Sequence, residues 1–304
     1  MLVTGAAGFL GRAALRALKD ADADVVAIYR SEVPAGEYGE VTWARADLTD
    51  TGEIAALCET HAPSHLLALA WYMGPGNQQS EENFRWVQHS IDLLFAFAAA
   101  GGRRVAFCGS CMEYDWSLET PFIEDVSALT PETEYGAAKA GLYCMYDKLC
   151  GKLGLSGVWG RPYFLYGPGE NPRRLAADVI ISLLEGREAL CTHGRQKRDF
   201  LHVDDVAEVL VAMMWSGHEG ALNIGSGAAV PLAALIEEIG RQTGRPELIR
   251  LGAREARPGD PDLVEADTSR MADVLGWTPR YTLETGIAQT IAWWRSELER
   301  SKTS

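Results

Sequence analysis

Tyr135 and Lys139 lie four residues apart at the head of a helical run that continues to about Leu153. A helix brings residues four apart onto one face, so the spacing predicts a phenol and an ammonium one above the other. A free tyrosine, with a pKa of about 10, makes a poor proton shuttle at neutral pH. A fixed cation a few ångströms away favours the phenolate, so Lys139 is expected to lower the phenol's pKa toward the working range. Upstream, Ser110 follows the apolar strand Arg104–Cys108 and could donate a hydrogen bond to a substrate oxygen that Tyr135 protonates or deprotonates. Alone, Tyr-x-x-x-Lys more often marks a partly exposed tyrosine beside a solvated lysine. The elements around it decide.

The chain opens on what reads as the end of a buried strand, Met1-Leu-Val, which runs into Thr4-Gly-Ala-Ala-Gly8-Phe-Leu-Gly11 and a helical pattern to about Lys19. Strand, glycine turn and helix N-terminus make a phosphate cradle: glycines allow close backbone approach, and free N–H groups with the helix dipole attract an anion. A second strand, Val25–Tyr29, follows at the distance a βαβ unit requires. An NAD site usually carries Asp or Glu at the end of that strand to hold the ribose 2′-hydroxyl. Here stand Tyr29-Arg30-Ser31, with no acid until Glu32. Arginine suits a 2′-phosphate, so NADP(H) is favoured over NAD(H), the alternative being that Arg30 is a solvated loop residue. The alternation continues with a strand at 41–44, Asp47-Leu48, a helix at 51–61, a strand at 65–70, a helix at 80–101 and the strand ending at Cys108. This is the pattern of an α/β, doubly wound parallel sheet, whose ligands lie outside the carboxyl ends of the strands.

Composition narrows the partners. A chain of 304 residues with 47% hydrophobic and 23% charged residues reads as a soluble globular protein, two lobes of one compact unit. A net charge of −14 argues against nucleic acid or an anionic membrane, and requires a local basic patch for any anionic ligand. The six cysteines (58, 108, 111, 144, 150 and 191) form no disulfide framework. Cys108-x-x-Cys111 lacks a second pair or a histidine at zinc-ligand spacing, so no metal is expected. Reduced thiols, with neither a signal peptide nor a run of 18 apolar residues, suggest a cytoplasmic protein.

Taken in register, Thr4-Gly-x-x-Gly8-x-x-Gly11, Ser110, Tyr135-x-x-x-Lys139, Arg161 with Tyr166-Gly-Pro168, and Arg198-Asp-Phe-Leu-His-Val-Asp-Asp205 resemble the extended short-chain dehydrogenase/reductase family that acts on nucleotide sugars. Asn223-Ile-Gly-Ser-Gly227, Arg257-Pro-Gly-Asp260 and Leu275-Gly-Trp-x-Pro279 extend the resemblance over nearly the whole chain. The resemblance implies that Tyr135 is the acid/base, that Lys139 tunes it and binds the nicotinamide ribose, and that Ser110 orients the sugar oxygen. It also implies dinucleotide contacts from Gly5, Gly8, Phe9, Leu10, Gly11, Arg30 and Ala70, and adenine contacts from Asp47 and Leu48. Arg198 and Arg257 match positions that meet the nucleotide portion of the sugar substrate. Between 173 and 198, six Arg/Lys residues stand against three acids, the local basic excess a diphosphate needs. At least half of these cations are expected to be surface pairs.

Departures matter as well. Family members that dehydrate a sugar resemble one another in an Asp-Glu pair two and three positions before the tyrosine matched by Tyr114; here those places hold Met112 and Cys111, so dehydration is not expected. Glu113 is shifted by one and is expected to face the other way. Phe164 replaces a usual asparagine, and Trp71, Tyr72, Met73 and Trp116 either wall a sugar pocket or simply pack. Arg30 favours an NADPH-dependent reductase of a nucleotide-linked 4-keto (6-deoxy) sugar, with an NAD(P)-dependent nucleotide-sugar 4-epimerase as the alternative. Residues 1–165, with 199–224 returning, are expected to form the Rossmann domain, and 166–304 mostly a smaller substrate-binding lobe. Apolar stripes on the helix at 80–101 (Phe84, Val87, Ile91, Leu94, Phe95) and on the Tyr135 helix (Ala138, Leu142, Met145, Leu149) suggest a homodimer, or only packing on the sheet.

Overall fold

A computed structural model describes residues 1–19, 21–118 and 120–303. Its frame is a seven-stranded sheet built from β1 (Leu2–Thr4), β2 (Val25–Tyr29), β3 (Val41–Arg45), β4 (His65–Ala68), β5 (Arg104–Cys108), β6 (Ser156–Pro162) and a last strand at Gly220–Ile224. The spatial order runs from Gly220–Ile224 through β6, β5, β4, β1 and β2 to β3, and every pairing is parallel. A parallel sheet needs a crossover after each strand, and the helices supply them on both faces.

One face is covered by α1 (Phe9–Ala17) and, later in the chain, the helix at Val203–Trp215, whose Val206, Leu210 and Met213 pack with Leu15 and Val3. The other carries α2 (Thr51–His61), α3 (Glu82–Ala99) and α4 (Glu134–Leu153), where Ile54, Leu94, Phe97, Leu142 and Tyr146 pack around Phe107 and Trp159. The expected doubly wound α/β fold is therefore the observed one. A separate core forms where α5 (Leu175–Leu184) meets the helices at Leu232–Thr243 and Leu283–Thr303, through Ile180, Leu183, Leu235, Ile239, Ile287 and Ile291.

Three local details set the site. β4 leaves its ladder at Ala68 rather than running to 70, because the Thr4 hydroxyl accepts the backbone N–H of Leu69 (3.2 Å) and Ala70 (3.3 Å). β3 reaches one residue past expectation and ends on Arg45, level with Tyr29 of β2. α4 starts on Thr133, whose hydroxyl accepts the Gly136 N–H, and stops at Gly154 with φ 68°. A side chain at Gly136 would stand 2.2 Å from the Met112 carbonyl, so glycine lets α4 approach the turn after β5. That approach brings Tyr135 to Ser110.

Candidate functional site

Ser110 leaves β5 at the carboxyl edge and caps a single 3₁₀ turn, Cys111–Glu113. Its hydroxyl accepts the Met112 N–H at 3.1 Å, while the Glu113 carboxylate accepts the Ser110 N–H at 2.8 Å. This reciprocal cap fixes the turn. Glu113 is fully buried and is itself held by Arg161 Nε at 2.6 Å and Trp159 Nε1 at 3.0 Å. Arg161 reaches on to the Tyr114 hydroxyl (3.2 Å), which donates to Asn223 Oδ1 (2.8 Å), and its guanidinium lies 4.4 Å from the Tyr143 ring centre. Burial pulls the Arg161 guanidinium down, but its contacts with Glu113 and Tyr114 together outweigh this and raise it above its ordinary value. The expected reversal of Glu113 is observed, and it has a purpose: the side chain anchors Ser110 from behind.

Tyr135 and Lys139 share the inward face of α4, but they do not interact as the spacing predicts. The Lys139 ammonium donates to the Cys108 carbonyl at 2.6 Å, lies 3.8 Å above the Trp71 ring and 6.0 Å from the centre of the Tyr135 ring. Burial raises the phenol above its ordinary value of 10 and the Cys108 thiol adds to this, while a hydrogen bond with the Ser110 side chain pulls the other way. Burial also brings the Lys139 ammonium down to about 8. In this state the lysine does not lower the tyrosine's pKa: the i,i+4 geometry puts both groups on one face, but the long lysine side chain turns to a carbonyl and an indole. The neighbour that opposes burial is Ser110.

The glycine turn is shaped for close backbone approach. Gly5 has φ +65°, and a Cβ there would sit 2.8 Å from the Ala70 nitrogen; one at Gly11 would sit 2.1 Å from the Gly5 carbonyl. Gly8 opens α1 with no side-chain cap and no acid in the first turn, leaving N–H groups at Phe9 and Leu10 directed outward from the helix start. These residues fit a pyrophosphate. At the far end of the same edge Arg30 is exposed, and its carbonyl accepts Arg45 Nε at 3.1 Å. Both arginines line an open groove of about 590 Å³ together with Asp47, Glu53 and residues of α2. Bonds from Thr49, more than the nearby Arg30, hold the Asp47 carboxyl below its usual range. Leu48 is buried beside it. Sequence reasoning missed Arg45 because it ended β3 one residue early.

The two arginines expected to meet the substrate differ in character. Arg198 is buried, paired with Asp260 at 2.8 Å and bonded to the Lys197 and Pro261 carbonyls, its guanidinium 5.5 Å from the Phe164 ring. Arg257 is exposed on the same loop as Asp260. Of the basic stretch, Arg173, Arg174, Arg195 and Lys197 are exposed and Arg187 pairs with Glu185. Trp116 packs against Phe164, whereas Trp71 is buried beneath Lys139. The α3 stripe divides: Leu94 is buried, while Phe84 and Phe95 are 52% and 45% exposed. Among the described residues no group of three His, Cys, Asp or Glu side chains could hold a metal, all six cysteines are free, and no helix is long and apolar enough to cross a membrane.

The model of the NAD dependent epimerase/dehydratase family matches residues 1–225. A dTDP-4-dehydro-6-deoxy-D-allose reductase from Streptomyces bikiniensis is 27% identical, covering 97% of this chain and 96% of its own. A UDP-glucose 4-epimerase from Streptomyces lividans is also 27% identical, over 91% of each chain. Among solved structures, MoeE5 in complex with UDP-glucuronic acid and NAD superposes with a TM-score of 0.85 at 30% identity, covering 97% of this chain and 99% of that one.

Proposed function

Because the chain belongs to the NAD dependent epimerase/dehydratase family, and is thereby an NAD(P)-dependent nucleotide-sugar enzyme of the extended short-chain dehydrogenase/reductase type, we propose that it is an NADPH-dependent reductase of a nucleotide-linked 4-keto (6-deoxy) sugar. One observation carries this reading: Arg30 and Arg45 stand together at the ends of β2 and β3, with no carboxylate at the end of β2 to meet a 2′-hydroxyl. Gly5, Gly8, Phe9, Leu10 and Gly11 hold the pyrophosphate, Asp47 and Leu48 the adenine, and Ala70 the adjoining backbone. The dinucleotide supplies the hydride.

The chain's own groups do the rest. Ser110, fixed by Glu113, orients the sugar's carbonyl oxygen, and Tyr135 delivers a proton to that oxygen as the alcohol forms. A phenol with a raised pKa is protonated at neutral pH, the state a reductase needs in its general acid. Lys139 meets the ribose. Arg198 and Arg257 take the diphosphate of the substrate, which Arg198 does by exchanging Asp260 for the ligand. Residues 166–198 and 225–304 form most of the substrate lobe, and 1–165 with 199–224 the dinucleotide domain. Exposed Phe84, Phe95 and Met145 on α3 and α4 meet a second copy in a homodimer, which light scattering would report as twice the chain mass.

The second reading, a nucleotide-sugar 4-epimerase, is favoured by the equal identity to the S. lividans epimerase. The two separate cleanly. Calorimetry with NADPH and NADH, followed by turnover of a dTDP-linked 4-keto-6-deoxy sugar, should show tighter NADPH binding and one NADPH oxidised per sugar reduced. Interconversion of 4-epimers without net NADPH oxidation would favour the epimerase.

A further inference from the structure

Lys139 is an ammonium buried with little to neutralise it. It donates to a neutral carbonyl, Cys108 O, at 2.6 Å. The carboxylate that acts on it, Glu113, is committed to Arg161, Trp159 and the Ser110 N–H. What lies against the ammonium is an aromatic face: the Trp71 ring centre is 3.8 Å away, well inside the range of a cation–π contact, with Phe107 at 5.3 Å as a weaker second. The indole cannot swing aside. Its Nε1 donates to Asn83 Oδ1 at 2.8 Å, and the fully buried Asn83 is pinned by donating to the Asn77 and Ser80 carbonyls at 2.5 and 2.8 Å. Trp86 and the edge of Tyr135 close the other sides, at 6.2 and 6.4 Å between ring centres.

We propose that Trp71 is a positioning residue for Lys139: its clamped indole face holds the ammonium in the charged form and in place beside the Cys108 carbonyl. A hydrocarbon of the same volume would fill the space but give a desolvated cation nothing. The loop between β4 and α3, which carries Trp71 and the carbonyls that fix Asn83, thereby governs the ionisation of a group on α4. This inference rests on the reading of Lys139 as the cation that meets the dinucleotide.

The other titratable or charged groups around the ammonium are Cys108 from β5, Glu113 with Arg161 from the 3₁₀ turn and β6, Tyr135 from its own helix, and His89 of α3 behind Trp86. The test therefore follows one midpoint through several variants. NADP⁺ affinity is measured by calorimetry from pH 6 to 9.5 in the wild-type chain, Trp71→Leu, Trp71→Phe and Lys139→Met. In the wild type, binding weakens as pH rises through about 8, where the ammonium loses its proton. In Trp71→Leu the midpoint falls by about one pH unit, the size expected from a desolvated cation–π contact, and in Trp71→Phe by less. Lys139→Met shows no midpoint in that range.

A Trp71→Leu midpoint equal to the wild type, with Lys139→Met flat, overturns the proposal and leaves the reading of Lys139 standing. A Lys139→Met curve that keeps the wild-type midpoint means another group titrates; the reading of Lys139 fails and the proposal falls with it. If Trp71→Leu does not fold, Trp71→Phe decides alone, and a midpoint at or above the wild type refutes the proposal.

Discussion

At the β5 end of the sheet edge, Ser110, Glu113, Arg161 and Lys139 are buried, and each bonds to the next or to a fixed carbonyl. At the β2–β3 end, Arg30 and Arg45 stand exposed over an open groove. The end we propose for proton transfer is thus held rigid by burial and pairing, while the end we propose to select the dinucleotide is left to solvent. Burying a charge costs several kcal/mol unless it is paired with good geometry, so the first arrangement is worth its cost only where position matters to a fraction of an ångström. Recognition of a doubly charged phosphate needs less: an exposed arginine adjusts to it and gains a charge-assisted bond on arrival. Changes at the first end should therefore damage rate and stability, and changes at the second should only shift preference.

The largest expected effect is at the phenol. Tyr135→Phe keeps the ring and its edge contact with Trp71 but removes the proton, and turnover of a 4-keto sugar nucleotide should drop roughly 10²–10⁴-fold with NADPH affinity little changed. Near-full turnover in stopped-flow would show that the proton comes from elsewhere and that the rigid end is not where the chemistry lies.

Next is the pair behind Ser110. Arg161→Met strands the Glu113 carboxylate in the core and should cost about 3–5 kcal/mol of stability in urea unfolding. The double variant with Glu113→Gln should recover much of that stability, yet not the full kcat, because the cap that fixes Ser110 is weakened. If the double variant had wild-type turnover, the buried pair would be a matter of folding alone.

At the exposed end, Arg30→Asp should move the NADPH/NADH affinity ratio about ten-fold toward NADH, as expected for loss of a charge-assisted contact, with the melting temperature unchanged. Arg45→Ala should shift it less, since its Nε is already given to the Arg30 carbonyl. A preference unmoved by both would remove the main support for the reductase over the epimerase.

The same contrast governs what could be read from the chain. Glycine spacing and strand–helix alternation announced the doubly wound sheet, because buried parallel strands and helix starts leave one-dimensional signatures. Tyr135, Lys139 and Ser110 were placed near one another for the same reason. The direction of the lysine was not legible. Spacing fixes which face a residue occupies, but whether its flexible end turns to a phenol or to the Cys108 carbonyl and Trp71 depends on a strand and a loop remote in sequence. The anchoring of Ser110 was equally hidden, since Glu113 and Arg161 are 48 residues apart and meet only once β5 and β6 pair. Arg45 escaped for a smaller reason: a strand boundary one residue off left it in a loop.

The last prediction concerns burial without pairing, which the contrast implies should be a liability. Glu170, just after Tyr166-Gly-Pro-Gly, is buried, and its Oε2 has no hydrogen-bond partner. Burial pushes its carboxyl up to about 8, with Arg174 and the Ala177 N–H pulling the other way. The folded chain therefore holds this proton more tightly than the unfolded chain, whose carboxyl titrates near 4.5. The linked stability is fully present below that value and is lost as pH rises through about 8. Glu170→Gln keeps the shape and cannot ionise. It should leave the melting temperature nearly unchanged at pH 4 and raise it by about 2–6 °C at pH 8.5. Thermal unfolding of both chains at the two pH values measures this directly. An equal difference at both would mean that the Glu170 carboxyl titrates alike in the folded and unfolded chains, so that its neighbours, like those at the β5 end, answer the cost of its burial.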